Sequence, residues 1–125
     1  MRRSSRGAAV VDFVLILGLL LPLVLGVLQL ALVLFVRNTL ASAASEGARY
    51  AATADHGPAD GVAKARGQLE GVLSARYAEG IRARSTTIDG APAIEIVIHA
   101  EVPALGLGGP ALALDVAGHA IEEKP

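Results

Sequence analysis

One stretch limits this chain more than any other. From Phe13 to Val36 there are 24 residues without a charge, bounded by Asp12 and Arg37, and Gln29 is their only strongly polar member. As a helix this run reaches roughly 36 Å, enough to cross a hydrocarbon core of about 30 Å. A 125-residue protein has little other mass in which to bury so long an apolar helix. A cleaved secretory signal is the rival reading. Its apolar region would usually span only about 7–15 residues, and the small-residue stretch Ala41-Ser42-Ala43 falls inside a helical pattern. The reading is therefore a membrane anchor. Arg2, Arg3 and Arg6 precede it with no acid among them, so the N-terminus is expected to stay cytoplasmic and the C-terminus outside.

The run has internal texture. Gly18, Pro22 and Gly26 recur every four residues and share one helix face with Gln29 close by, and Phe13, which opens the run, is a further candidate for packing between helices. Small residues let a second membrane helix approach closely. Pro22 lacks an N–H and should kink or loosen the preceding turn. An ordinary anchor could carry the same residues, and composition alone does not decide. Beyond Arg37 the pattern stays helical to about Ala54, with Leu40, Ala44, Gly47 and Ala51 on one side and Glu46 and Arg49 spaced as an ion pair.

The remainder reads as a small ectodomain. Asp60 can cap a second helix whose apolar positions are Val62, Ala65, Leu69, Val72 or Leu73, and Tyr77. Gly67 and Gly71 weaken it by roughly 1 kcal/mol each against alanine. Residues 81–88 and 93–102 read as strands joined by the turn dipeptide Asp89-Gly90, with Pro92 just ahead of the second. In that second strand Ile94, Ile96, Ile98 and Ala100 share one face, opposite Glu95, Val97, His99 and Glu101. Residues 103–110 read as a loop. A third strand follows with Leu112, Leu114 and Val116 in phase and Gly118 as a candidate bulge. The fold class is α+β: a long N-terminal helix and an ectodomain with a three-stranded antiparallel sheet, one face covered by helix.

Signals for chemistry are sparse. Without cysteine there is no disulfide, thiolate nucleophile or thiolate metal site. After the basic head, 8 bases face 12 acids, which leaves no basic footprint for nucleic acid. Phe13, Phe35, Tyr50 and Tyr77 are too few to stack bases. His56, His99 and His119 form no helical metal pair, although His99 and His119 could meet across strands near Glu95 or Glu101. The serines lack a nucleophile elbow, and Gly106-Leu107-Gly108-Gly109 is no phosphate loop. No catalytic residue, cofactor or metal is expected.

The stretch Arg6-Gly7-Ala8-Ala9-Val10-Val11-Asp12-Phe13 resembles the head of the TadE-like family, pseudopilins of bacterial tight-adherence (Tad) pilus systems. So do the exit Arg37-Asn38 and the distal Glu46-Gly47-Ala48-Arg49-Tyr50-Ala51. The resemblance implies a pilin-like layout and a structural or assembly role. It implies cleavage by a prepilin peptidase between Gly7 and Ala8, and partnership with other pilins or pseudopilins, inner-membrane assembly proteins and the lipid bilayer. The implied organisation is a leader at 1–7, a transmembrane half-helix at 8–36, an extracytoplasmic half at 37–55 and an ectodomain at 56–125. The family usually carries glutamate where this chain has Asp12. A free amine at Ala8 would be cationic, and Asp12, four residues along, could neutralise it in the same chain or a neighbour. Asp12 would also oppose the positive end of the helix dipole. The alternative is an anchored extracytoplasmic binding or accessory module outside any pilus.

Overall fold

The computed structural model describes residues 2–105 and 111–123, with side chains described from residue 5. Helix α1 spans Arg2–Ala52, 51 residues, and runs unbroken through Pro22. It starts earlier than the apolar run, because the residues ahead of Phe13 are mostly adequate helix formers with no proline. Asp12 therefore lies almost three turns into α1, and the first turn contains no acid. With α1 beginning at Arg2, Asp12 does not stand at the positive end of the helix dipole.

Along α1 the environment changes once. Almost every described residue before Gln29 is exposed. From Leu32 onward one face turns inward, through Val36, Leu40, Ala43, Ala44, Gly47, Ala48 and Ala51. The three- and four-residue steps keep these on one side, and their small size lets the ectodomain pack close. Glu46 and Arg49 are both exposed and make no ion pair, since water solvates two long surface side chains about as well.

Helix α2 covers Pro58–Val72, with Gly57 as its N-cap and proline in its first turn. Asp60 is not the cap. It sits one turn in, and its Oδ2 accepts from the Gly57 N–H at 2.8 Å. The helix stops at Val72, short of Tyr77, where the chain turns extended at Leu73. Tyr77 is buried instead from a short 3-10 turn at Ala75–Ala78. Gly61, Ala65 and Leu69 form the buried face of α2. Its crossing with α1 is close: a Cβ on Gly61 would lie 2.6 Å from Ala51 Cβ and 2.6 Å from Gly47 O.

Strands β1 (Ile81–Ile88), β2 (Ala91–Val102) and β3 (Leu112–Ile121) form an antiparallel sheet in that order. Asp89 and Gly90 both take positive φ, 50° and 83°, as a two-residue hairpin turn requires. Pro92 falls inside β2, opposite Thr87. Its carbonyl accepts from Glu122 N at 2.9 Å, so its missing donor lies on the side where the β3 ladder ends. Gly118 is no bulge: the β2–β3 register continues through it without a break. The inner sheet face, Ile94, Ile96, Ile98, Ala100 and Val102, is buried. The loop starts at Pro103 as expected, and residues 106–110, with the Gly106–Gly109 stretch, lie outside the described residues.

Candidate functional site: the exposed helix and the face of the sheet

Gly7, Ala8, Asp12 and Phe13 are exposed on α1, and an added Cβ at Gly7, Gly18 or Gly26 would meet nothing within 4 Å. No intramolecular packing requires glycine at any of the three. Pro22 is exposed near the middle of the same stretch. Gln29 behaves differently. Its Nε2 donates to Pro103 O at 3.2 Å and its Oε1 accepts from the Leu105 N–H at 2.7 Å. The polar handle of the run thus holds the β2–β3 loop of the same chain.

Arg37 and Asn38 are exposed where the apolar run ends. In the distal segment Gly47 is buried under α2, whereas Glu46, Arg49 and Tyr50 face outward. Tyr50 stacks on His56, with ring centroids 4.0 Å apart, and Lys64 Nζ stands 5.7 Å from the Tyr50 ring centre. Thr53 Oγ1 bonds Tyr50 O at 2.7 Å and also contacts His56 Nδ1 at 2.7 Å. Glu123 N donates to Ala52 O at 2.8 Å. These contacts satisfy carbonyls that the end of α1 leaves open.

A charged ladder lies on the outer sheet face. The Arg84 guanidinium, the Glu95 carboxylate and the His119 ring cross all three strands: Arg84 Nε bonds Glu95 Oε2, and His119 Nε2 is 3.0 Å from Glu95 Oε1. Glu95 is the buried acid of this group, at 8% exposure. The hydrogen bond from Arg84 is the main reason its carboxyl is held below the usual range. Burial opposes that shift, while the charge of Arg84 and the contact with His119 assist it. Arg84 is raised in turn, chiefly by the same hydrogen bond.

His99 does not join His119. It pairs with Asp115, Nδ1 to Oδ1, at 2.5 Å. The Val97–Ala117 rung separates the two histidine–acid pairs, leaving about 13 Å along the strands. Among the described residues no three His, Asp or Glu side chains converge as metal ligands. The ladder holds strands together and presents ions to solvent.

The exposed half of α1 stands outside the ectodomain core. It has the length and composition of a membrane-crossing helix, and only 6% of its most apolar window is buried within the protein. One long apolar N-terminal helix of this kind fits a single-pass membrane anchor.

Residues 7–49 match the family model described as TadE-like protein. The matched segment begins at Gly7, contains Asp12 and the Arg37-Asn38 exit, and ends at Arg49. A TadE-like segment points to a Tad pilus-associated protein. No curated protein and no solved structure gives a significant match to the chain.

Proposed function

We propose that the chain is a structural or assembly subunit, a pseudopilin, of a Tad-type pilus or related secretion system. The observation that carries this reading is the TadE-like match, which starts at Gly7 and runs through the anchor into the distal motif. The chain inserts with its N-terminus in the cytoplasm, and a prepilin peptidase cuts after Gly7. Residues 1–7 leave as a leader, 8–36 remain in the cytoplasmic membrane, and 37–55 carry the 56–125 ectodomain outside. The protein stays there or passes into an extracellular pilus.

Physical considerations support the assignment. Gly7 stands in open space, so a role for it lies in recognition by another protein. The Gly18, Pro22 and Gly26 face is available to neighbouring helices of pilins or assembly proteins. Cutting would bring the helix start to Ala8, and Asp12 would then stand one turn from a new amine. A carboxylate at a membrane boundary is costly without a partner, and that amine supplies one. The subunit turns over no substrate itself.

Mass spectrometry of the protein from its native membranes tests the reading. The expected N-terminus is Ala8, and Gly7→Leu should accumulate as the uncut precursor. An N-terminus still at Ala8 in that variant would overturn processing at this glycine. A wild-type protein that keeps Met1 or Arg2 would favour an anchored accessory module.

A further inference from the structure

The hairpin that Gln29 holds raises a question of depth. Gln29 lies inside the apolar run, eight positions before Arg37, so the loop bound to it sits about 12 Å below Arg37 along α1. With the apolar run in the bilayer, Pro103 and Leu105 enter with it.

The ectodomain's own charges agree with this level. A Cβ on Gly118 would touch the backbone of Ala44 and Ser45, which fixes the height of β3 against α1. Asp115 is three residues lower on β3, about 10 Å, equivalent to six or seven residues of helix. That places Asp115 level with Arg37. Exposed Glu101, paired with Ala113, lies two rungs below Asp115 and one rung from Leu112; after it the sequence from Val102 to Leu114 contains no charge. The last charges of the hairpin, Asp115 and Glu101, thus fall within about 7 Å of the level of Arg37, where the charges of α1 end. Leu105 and Leu112, on either side of the tip, are 37% and 49% exposed.

The backbone is prepared for such a setting. Irregular backbone in a poorly hydrated layer must have its polar groups satisfied within the protein. Gln29 supplies a donor to Pro103 O and an acceptor to Leu105 N–H, and Pro103 has no N–H of its own. The loop in turn satisfies an amide that would otherwise be unpaired in the apolar run.

We propose that the described flanks of the β2–β3 loop are a second membrane contact, with Leu105 and Leu112 seated at the boundary between headgroups and acyl chains and Gln29 tying Pro103 and Leu105 to the anchor. The occupant of this apolar surface is lipid, since the surface continues the exposed face of α1, where Leu30, Leu34 and Phe35 are 60%, 49% and 53% exposed. A contact of this kind fixes how far the ectodomain stands from the bilayer and restricts its tilt. It rests on the anchor reading of α1.

The chain has no tryptophan, so one introduced residue gives an unmixed signal. Leu105→Trp, Leu112→Trp, Leu20→Trp and Thr87→Trp are made in the full chain and reconstituted into phosphatidylcholine–phosphatidylglycerol vesicles. The vesicles carry bromine either near the headgroup end or near the methyl end of the acyl chains. At positions 105 and 112 the probe should lose most of its emission to shallow bromine and much less to deep bromine. The probe at 20 should be quenched by deep bromine, and the one at 87, on the exposed far end of β1, by neither. Water-like, unquenched emission at both 105 and 112 overturns the proposal. Blue-shifted but unquenched emission there also overturns it, and assigns the surface to a neighbouring copy. Loss of quenching at 20 removes the anchor itself, which separates that failure from the others.

Discussion

Gly118 of β3 lies directly against the backbone of Ser45 in α1: a Cβ on Gly118 would stand 2.4 Å from Ser45 N and 2.5 Å from Ala44 C. The neighbour is helix backbone, which cannot rotate away. Gly118→Ala should therefore push β3 off α1 and destabilise the ectodomain by about 1–3 kcal/mol. Hydrogen exchange of the central β2 amides, Ile96 and Ile98, measures this in the full chain in detergent. Unchanged protection would mean that the helix and sheet are not in contact at this point.

The glycines of α2 should divide into two kinds. A Cβ on Gly61 meets Gly47 O and Ala51 Cβ at 2.6 Å each, whereas one on Gly67 meets nothing within 4 Å. Gly61→Ala should cost about 1–3 kcal/mol by separating the helices. Gly67→Ala should stabilise α2 by roughly 1 kcal/mol, since alanine loses less backbone entropy in a helix. Exchange of the α2 amides should move in opposite directions for the two variants. A loss of protection in Gly67→Ala would contradict the open surface around it.

Much of this fold was legible, for reasons that can be named. The Asp89-Gly90 turn fixes β1 against β2, and the alternation of Ile94, Ile96 and Ile98 fixes which face of β2 is buried. The same turn sets Arg84 opposite Glu95, a signal that was present in the sequence and missed. The pairing of β2 with β3 was less accessible, because the loop between them has no length rule to set the register. His99 and His119 consequently looked like possible neighbours, and the register gives each its own acid. Gly118 reads as a bulge when only its strand is considered. Its purpose appears once α1 is laid across it. In Gln29, too, the local sequence shows a polar residue but not the distant loop it holds.

Glu95 should make ectodomain stability depend on acid pH. Its folded-state pKa is lowered, first by the hydrogen bond from Arg84. An unfolded glutamate titrates at about pH 4.3. Its stabilising contribution is therefore complete above that value and is lost as pH falls through the lower folded-state value. Arg84 stays cationic throughout. Glu95→Gln should be less stable than the parent at neutral pH, and the difference should shrink towards zero in strong acid. Exchange of the amides of Arg84 and His119 across an acid titration reads both effects. A constant difference between the two proteins at every pH would show that the pair contributes no linkage.

Asp12 is where the reading of this chain as a processed subunit is most exposed. Aspartate carries the charge of glutamate on a side chain shorter by one methylene. If a peptidase and the new amine at Ala8 are both matched to the longer reach, Asp12→Glu should raise the fraction of chains that begin at Ala8. Asp12→Asn removes the charge at nearly constant size, and if charge is what matters it should lower the yield of the processed, assembled form. Both fractions can be counted by intact-mass measurement on protein from native membranes. Position 12 is exposed in α1 and has no packing role in the ectodomain, so β2 amide protection should be the same in all three proteins. Equal processing and equal assembly across aspartate, glutamate and asparagine would leave Asp12 as a solvated residue at the membrane face, with no part in recognition or helix registration.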